Sequence, residues 1–163
     1  MPKVRSVIRP MGRPGDLGWV VMAHGEVYAE EFGWDTTFEA LVARIVADYA
    51  NQLDSSRQSA WLAEVDGRRA GCVFCVPADR DTAQLRILLV EPWARSLGLG
   101  AGLVDECVSF ARGAGYRRMK LWTNDPLVAA AGIYRSRGFV LTEQTPHHSF
   151  GVDLVGQVYE RDL

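Results

Sequence analysis

The sequence predicts one mixed α/β domain spanning residues 1–163, in the order β-α-α-β-β-β-α-β-α-β-β. Three observations carry this expectation. Apolar residues recur at helical spacing through residues 17–49, then switch near Ser59 to the two-residue period of strands. Asp66-Gly67 lies between two such strands and marks a tight hairpin. Residues 85–110 read as a buried strand, a glycine-rich step and a helix, which adds parallel character through right-handed crossovers. A chain of 163 residues holds one core and leaves little room for two.

Residues 4–9 alternate apolar and polar side chains and form a first strand, closed by Pro10. Asp16 is placed to cap a helix from Leu17, whose inner face carries Val20, Val21, His24, Val27 and Tyr28. On such a stripe His24 reads as a satisfied core histidine in preference to a catalytic base. Residues 30–35 form an acidic and aromatic connector. Thr36 or Thr37 then caps a second helix, with Phe38, Leu41, Val42, Ile45, Val46 and Tyr49 on its inner face. The hairpin strands cover residues 61–65 and 70–76. The next strand is the apolar run 87–90, ended by Pro92, which has no N–H for a ladder. A helix follows to Arg112. Residues 119–123 form a strand, and Asp125-Pro126 opens the last helix, which Gly138 ends. Residues 139–141 and 154–160 are the final strands, separated by a loop at 146–151.

Composition narrows the function. The formal net charge of −2, without a lysine/arginine cluster, argues against a nucleic-acid surface. No apolar stretch approaches the ~18–20 residues of a membrane span, and the N-terminus lacks a signal-peptide core. The expected compartment is the cytoplasm, which suits the three cysteines Cys72, Cys75 and Cys107. Cys72 and Cys75 have C-x-x-C spacing inside a strand, so they point to opposite faces, and no metal or redox site is expected.

The glycine step Gly98-Leu99-Gly100 opens a helix whose first N–H groups lack intrahelical partners. With the positive end of the helix dipole, those groups form a seat for a phosphate. The spacing G-x-G-x-G departs from the dinucleotide fingerprint, and no lysine follows Gly100 as a P-loop requires. A diphosphate seat remains. Neither G-x-S-x-G nor H-E-x-x-H is present, so hydrolase and zinc-protease readings lack their motifs.

At this point Arg95-Ser96-Leu97-Gly98-Leu99-Gly100 resembles the R/Q-x-x-G-x-G/A motif of the GNAT superfamily of acetyltransferases. Ile133-Tyr134-Arg135-Ser136-Arg137-Gly138-Phe139 is similar to that family's I-Y-x-x-x-G-F segment, and the element order matches across almost the whole chain. The resemblance implies the acyl-CoA N-acyltransferase fold, in which the strand before the glycine loop is bulged and splays from its neighbour. It implies acetyl-CoA as the acyl donor, with no metal. Backbone N–H groups of Leu97, Gly98, Gly100, Ala101 and their neighbours, in the stretch Arg95, Ser96, Leu97, Gly98, Leu99, Gly100, Ala101, would hold the pyrophosphate. Leu88, Leu89 and Val90 would pair with the pantetheine amides as an added strand. Asn124 would hold the pantetheine arm or a water.

In the same resemblance Tyr134 would protonate the leaving thiolate; its plain reading is a core aromatic, and the flanking Gly138-Phe139 favours the acid role. The sequence from Leu85 to the C-terminus, including residues 121–124 and 147–151, resembles the acetyltransferase half fused behind MarR-type winged-helix regulators. The first strand begins near residue 1, so the acetyltransferase module is expected without the DNA-binding half. The implied function is direct transfer of acetyl to a primary amine. The alternative is a non-catalytic acyl-CoA sensor or interaction module. A glutamate that some members carry before the glycine loop is replaced here by the neighbourhood of Gln84 and Arg86, with Glu91 as another candidate base. Glu30, Glu31 and Asp35 could attract a cationic amine and Trp34 could stack on it; the simpler reading is a solvated connector with one packed tryptophan. His147 and His148 either border the acceptor site or are loop polar residues. A homodimer through the sheet edge or the C-terminal strand is compatible with this layout.

Overall fold

The computed structural model describes residues 3–52 and 54–163. Its elements are β1 (Ser6–Pro10), α1 (Asp16–Phe32), α2 (Thr36–Asn51), β2 (Ser59–Val65), β3 (Arg68–Pro77), β4 (Thr82–Val90), α3 (Leu99–Gly113), β5 (Arg118–Asn124), α4 (Val128–Ser136), β6 (Val140–Ser149) and β7 (Val152–Asp162), with a 3₁₀ turn at Pro92–Ala94. The order is the expected one. Seven strands form one sheet in the spatial order β1-β2-β3-β4-β5-β7-β6. Only β4 and β5 pair in parallel. Less parallel character results than the alternating elements suggested, because β7 inserts between β5 and β6 and runs antiparallel to both. The C-terminal strand is therefore interior, and the free edges are β1 and β6. This removes β7 as a docking edge for a second copy.

The helices cover the two faces. One core joins α3 and α4 to the sheet through Leu103, Val104, Cys107, Tyr134 and Met119. The other joins α1 and α2 through Val20, Val27, Trp34, Phe38 and Val42. Cys72 lies in the second core and Cys75 in the first, as alternation in a strand requires, and all three cysteines are free and buried.

Several local expectations are corrected. Asp16 is the first residue of α1 rather than its cap, which is Gly15 in the left-handed region. The Asp16 carboxylate is fully buried and accepts from both terminal nitrogens of Arg9 at 2.9 Å, from Arg69 Nε at 3.0 Å, and from the N–H groups of Gly12 and Arg13. These charge-assisted bonds hold its pKa well below the usual carboxylate range. The network ties β1, β3 and the start of α1 together. Asp35, rather than Thr36 or Thr37, caps α2 by accepting from the Thr37 N–H at 3.0 Å. Asp125 does not cap α4; it accepts from the Val155 N–H at 2.8 Å and fixes the turn after β5 against β7. Residues 146–149, expected in a loop, complete β6, and Phe150-Gly151 makes the turn into β7, both with positive φ. Pro146 is tolerated there because β6 is an edge strand. Among the described residues no helix is long and apolar enough to cross a membrane.

Candidate active site

The site begins with an irregularity in β4. Cys72 lies opposite Leu89 and Phe74 opposite Arg86, so two steps on β3 face three on β4. The extra residue falls at Ile87, whose φ of 44° lies in the left-handed region that β-branched residues avoid. Such a conformation costs on the order of 1–3 kcal/mol and marks a place where the surroundings over-determine the backbone. Gly71 makes the bulge fit, since a Cβ there would stand 2.8 Å from the Leu89 carbonyl oxygen. Beyond the bulge β4 leaves β5. Their pairing ends at Leu85 and Leu121, while β5 runs on to Asn124 against β7 alone. A cleft opens between residues 86–90 and 122–124.

One limb of the cleft has a volume of about 590 Å³ and runs from Leu88, Leu89 and Val90 to Arg95, Ser96, Gly98, Leu99, Gly100 and Ala101. Gly98 precedes α3 with φ 76°, and no side chain caps the helix. The first intrahelical bond joins the Gly102 N–H to the Gly98 carbonyl, so the N–H groups of Leu99, Gly100 and Ala101 stand outside the ladder at the positive end of the dipole. Two glycines of the step have separate reasons. Gly98 supplies the left-handed turn. Gly100 is needed for packing within the protein, because a Cβ would meet Ile133 Cδ1 of α4 at 2.8 Å. Leu97 points to solvent and does not line this limb.

Arg95 is held by Glu31 through both terminal nitrogens, one contact being 3.1 Å, and its Nε donates to the Val90 carbonyl at 3.4 Å. Glu31 thus belongs to the glycine-loop limb and is already paired. Glu30 is exposed and lines neither limb. Both residues sit in the last turn of α1, not in a connector, because the helix continues to Phe32 before Gly33 ends it in the left-handed region. Attraction of a cationic amine by this pair has no support in their position.

The second limb, about 500 Å³, meets the first at Tyr28, Leu88, Leu127 and Ala130. It is lined by Trp34, Tyr134, Asn124 and His147 from the sequence reading, and by Arg86. Trp34 is 4% exposed, packed among Tyr28, Phe38 and Phe150 with ring centroids 4.8–5.2 Å apart. It is a packed tryptophan and a wall of the cavity at once. Tyr134 lies between Phe139 and Tyr159, its ring edge-on to Phe139 at 5.9 Å. Burial, then the neighbouring Tyr28, pushes its phenol well above the usual tyrosine pKa, so it stays protonated.

Asn124 Oδ1 lies 2.8 Å from His147 Nε2, and His147 Nδ1 lies 2.8 Å from Ser149 Oγ. This chain is satisfied when Nε2 carries the proton and the Ser149 hydroxyl donates to Nδ1. Gly156 leaves room for the imidazole, as a Cβ would stand 3.3 Å from its Cδ2. Strand alternation turns His148 the other way, out to solvent, where it pairs with Asp153 at 2.8 Å. Glu91 lies on another surface, beside Arg68, and lines neither limb.

Two residues read as core on the inner face of the first helix also line the cavity. Tyr28 stands at the junction of the limbs and donates to the Leu88 carbonyl at 3.4 Å. His24 is buried and only half satisfied. Its Nδ1 lies 2.7 Å from the Val20 carbonyl, and its Nε2 has no partner among the described residues. Burial lowers its pKa to about 4. Among the described residues no cluster of His, Cys, Asp or Glu is arranged to hold a metal ion.

The model of the acetyltransferase (GNAT) family matches residues 22–139. An uncharacterized N-acetyltransferase of Schizosaccharomyces pombe is 30% identical over 74% of this chain and 75% of its own length. N-acetyltransferase 8B of Homo sapiens is 34% identical over 54% of this chain, and mycothiol acetyltransferase of Beutenbergia cavernae is 29% identical over 56%. This chain spans 41% and 31% of those two relatives' lengths. Among solved structures, one from Salmonella typhimurium determined with acetyl-CoA superposes with a TM-score of 0.78, at 20% identity, over 96% of this chain and 93% of that one. Ribosomal-protein-alanine N-acetyltransferase of Brucella melitensis gives 0.77 at 18% identity over 96% and 99%. At such identities these superpositions speak for the fold. The family match over most of the length, with a relative aligned across three quarters of both chains, shows that this chain belongs to the acetyltransferase (GNAT) family.

Proposed function

We propose that this acetyltransferase moves the acetyl group of acetyl-CoA directly to a primary amine, with the donor in the glycine-loop limb and the acceptor in the second limb. The observation that carries this reading is the junction of the two limbs. The unpaired edge of β4 and the bare N-terminus of α3 share one cleft with a buried phenol. The residues fit the donor. The N–H groups of Leu99, Gly100 and Ala101 suit a pyrophosphate, and the β4 edge suits amide groups that add as a strand. The donor supplies an activated thioester. Tyr28 and Leu88 fix the junction where it would meet the amine. Tyr134 holds a proton for the departing sulfur. As the C–S bond breaks, the phenol passes its proton to the sulfur, and the proton lost from the amine nitrogen as the C–N bond forms returns to the phenolate through solvent. Asn124, oriented by His147, positions a polar group beside them.

The finer kinship, to the acetyltransferase half of MarR-fused regulators, rests on the sequence from Leu85 to the C-terminus, including residues 121–124 and 147–151, and is part of this proposal, as is work in the cytoplasm. The test is thiol release from acetyl-CoA with a panel of primary amines. The expected result is amine-dependent release, with acetylated amine equal to thiol formed. Tight binding of acetyl-CoA with no turnover of any amine would favour the sensor function instead.

A further inference from the structure

The acceptor limb carries a charge pattern that acetyl transfer alone does not require. Its lining residues include no aspartate or glutamate, and their one permanent cation is Arg86. Arg86 stands opposite Phe74 in the β3–β4 register, on the face covered by α1 and α2. It is partly buried and has no hydrogen bond or ion pair among the described residues. Asp48, whose charge reaches it from α2, is exposed and beyond ion-pair distance. Other arginines shielded from solvent have partners: Arg9 and Arg69 pair with Asp16 and Arg137 with Asp105, while Arg57 and Arg161 donate to backbone carbonyls.

A partly desolvated guanidinium without a counter-charge is costly, and an anion brought by a ligand removes that cost. Arginine presents a planar fork suited to a carboxylate. The same cavity offers a wall of Trp34, Phe38 and Phe150, which suits a flat or branched apolar group. A simple alkylammonium finds no carboxylate here and meets a like charge. We propose that the acceptor brings its own carboxylate: it is an α-amino acid with an apolar or aromatic side chain, its carboxylate on Arg86 and its side chain on the aromatic wall. The inference rests on the acetyl-transfer reading.

The test compares matched acceptors, L-phenylalanine against phenethylamine and L-leucine against isoamylamine, by thiol release. The expected preference in kcat/KM is roughly 100-fold for the amino acids, since a site built for a polar group rejects the analogue lacking it. Arg86→Gln should shrink the preference to a few-fold by slowing the amino acids, and Arg86→Lys should restore part of it. Equal rates, a preference for the decarboxylated amines, or a preference that survives Arg86→Gln would overturn the inference. A second measurement needs no turnover. Calorimetry on the CoA-saturated protein should find N-acetyl-L-phenylalanine binding at least roughly tenfold tighter than N-acetylphenethylamine. Equal affinity overturns the anion site. Acetylation of phenethylamine but not phenylalanine rejects the anion site and keeps acetyl transfer. Preferential binding of the acid with no amine ever acetylated keeps the anion site and rejects acetyl transfer.

Discussion

His24 shows how a single side chain can carry a measurable signature of this site. Its Nδ1 faces the Val20 carbonyl and its Nε2 is buried without a partner among the described residues. The folded pKa of about 4 lies below the ordinary histidine value of 6.5. The unfolded chain therefore binds more protons between those limits, and stability must rise with pH from 4 to 6.5 and level off above. The contribution is about 3 kcal/mol. Asp16 acts in a lower window: its depressed pKa gives stability that is present above the ordinary carboxylate pKa and lost as pH falls through the folded value. Urea unfolding of wild type and His24→Gln at pH 4.5, 5.5 and 6.5 separates the two. The difference in stability should change across that range, and parallel curves would remove His24 as a buried neutral group. At this scale the sequence was partly legible. The helical stripe located His24, but no spacing shows that one ring nitrogen lacks a partner. Alternation would have separated His147 from His148 had residues 146–149 been recognised as strand, and Pro146 hid that strand.

Among the elements, β4 decides the most. The apolar run 87–90 reads as an ordinary buried strand, because an inserted residue leaves composition unchanged. Only the register shows that Arg86 and Ile87 fall on one face and that the edge beyond Leu85 is free. The bulge itself was expected only through the family resemblance. Gly71 is its counterpart on β3. Gly71→Ala would bring a Cβ to 2.8 Å from the Leu89 carbonyl oxygen and 3.3 Å from Leu103 Cδ1. The backbone cannot swing away as a side-chain tip can, so the expected loss is about 1–3 kcal/mol of stability. Because β4 must shift, acetyl-CoA affinity should fall as well, by roughly tenfold. Unfolding curves and calorimetry check both numbers; an unchanged affinity would mean that the β4 edge is not part of the donor site. Helix limits were legible at Gly98 and Gly138, whereas Gly33, read as part of a connector, is what ends α1. They were misassigned where an aspartate beside the start served a distant partner, as Asp16 and Asp125 do.

For the whole molecule, the order of elements followed from hydrophobic period, but the insertion of β7 between β5 and β6 did not, since pairing partners leave no local mark. That insertion supports the far side of the cleft. It holds β5 out to Asn124 after β4 has departed, and it brings Gly156 and His147 beside the cavity. The cleft is thus a consequence of one sheet whose strands part halfway along. Tyr134 reaches the cleft from the α3–α4 core, where Phe139 and Tyr159 flank its ring. The account stands on that phenol, in the wall of the second limb, being the proton donor to the departing thiolate. The direct test is Tyr134→Phe, which keeps the ring and its packing and removes only the hydroxyl. Steady-state turnover of an accepted amine should fall by about 100-fold in kcat. The dissociation constant for acetyl-CoA, measured by calorimetry on the same protein, should stay within roughly threefold of wild type. An unchanged kcat, with acetyl-CoA bound as before, would contradict the account.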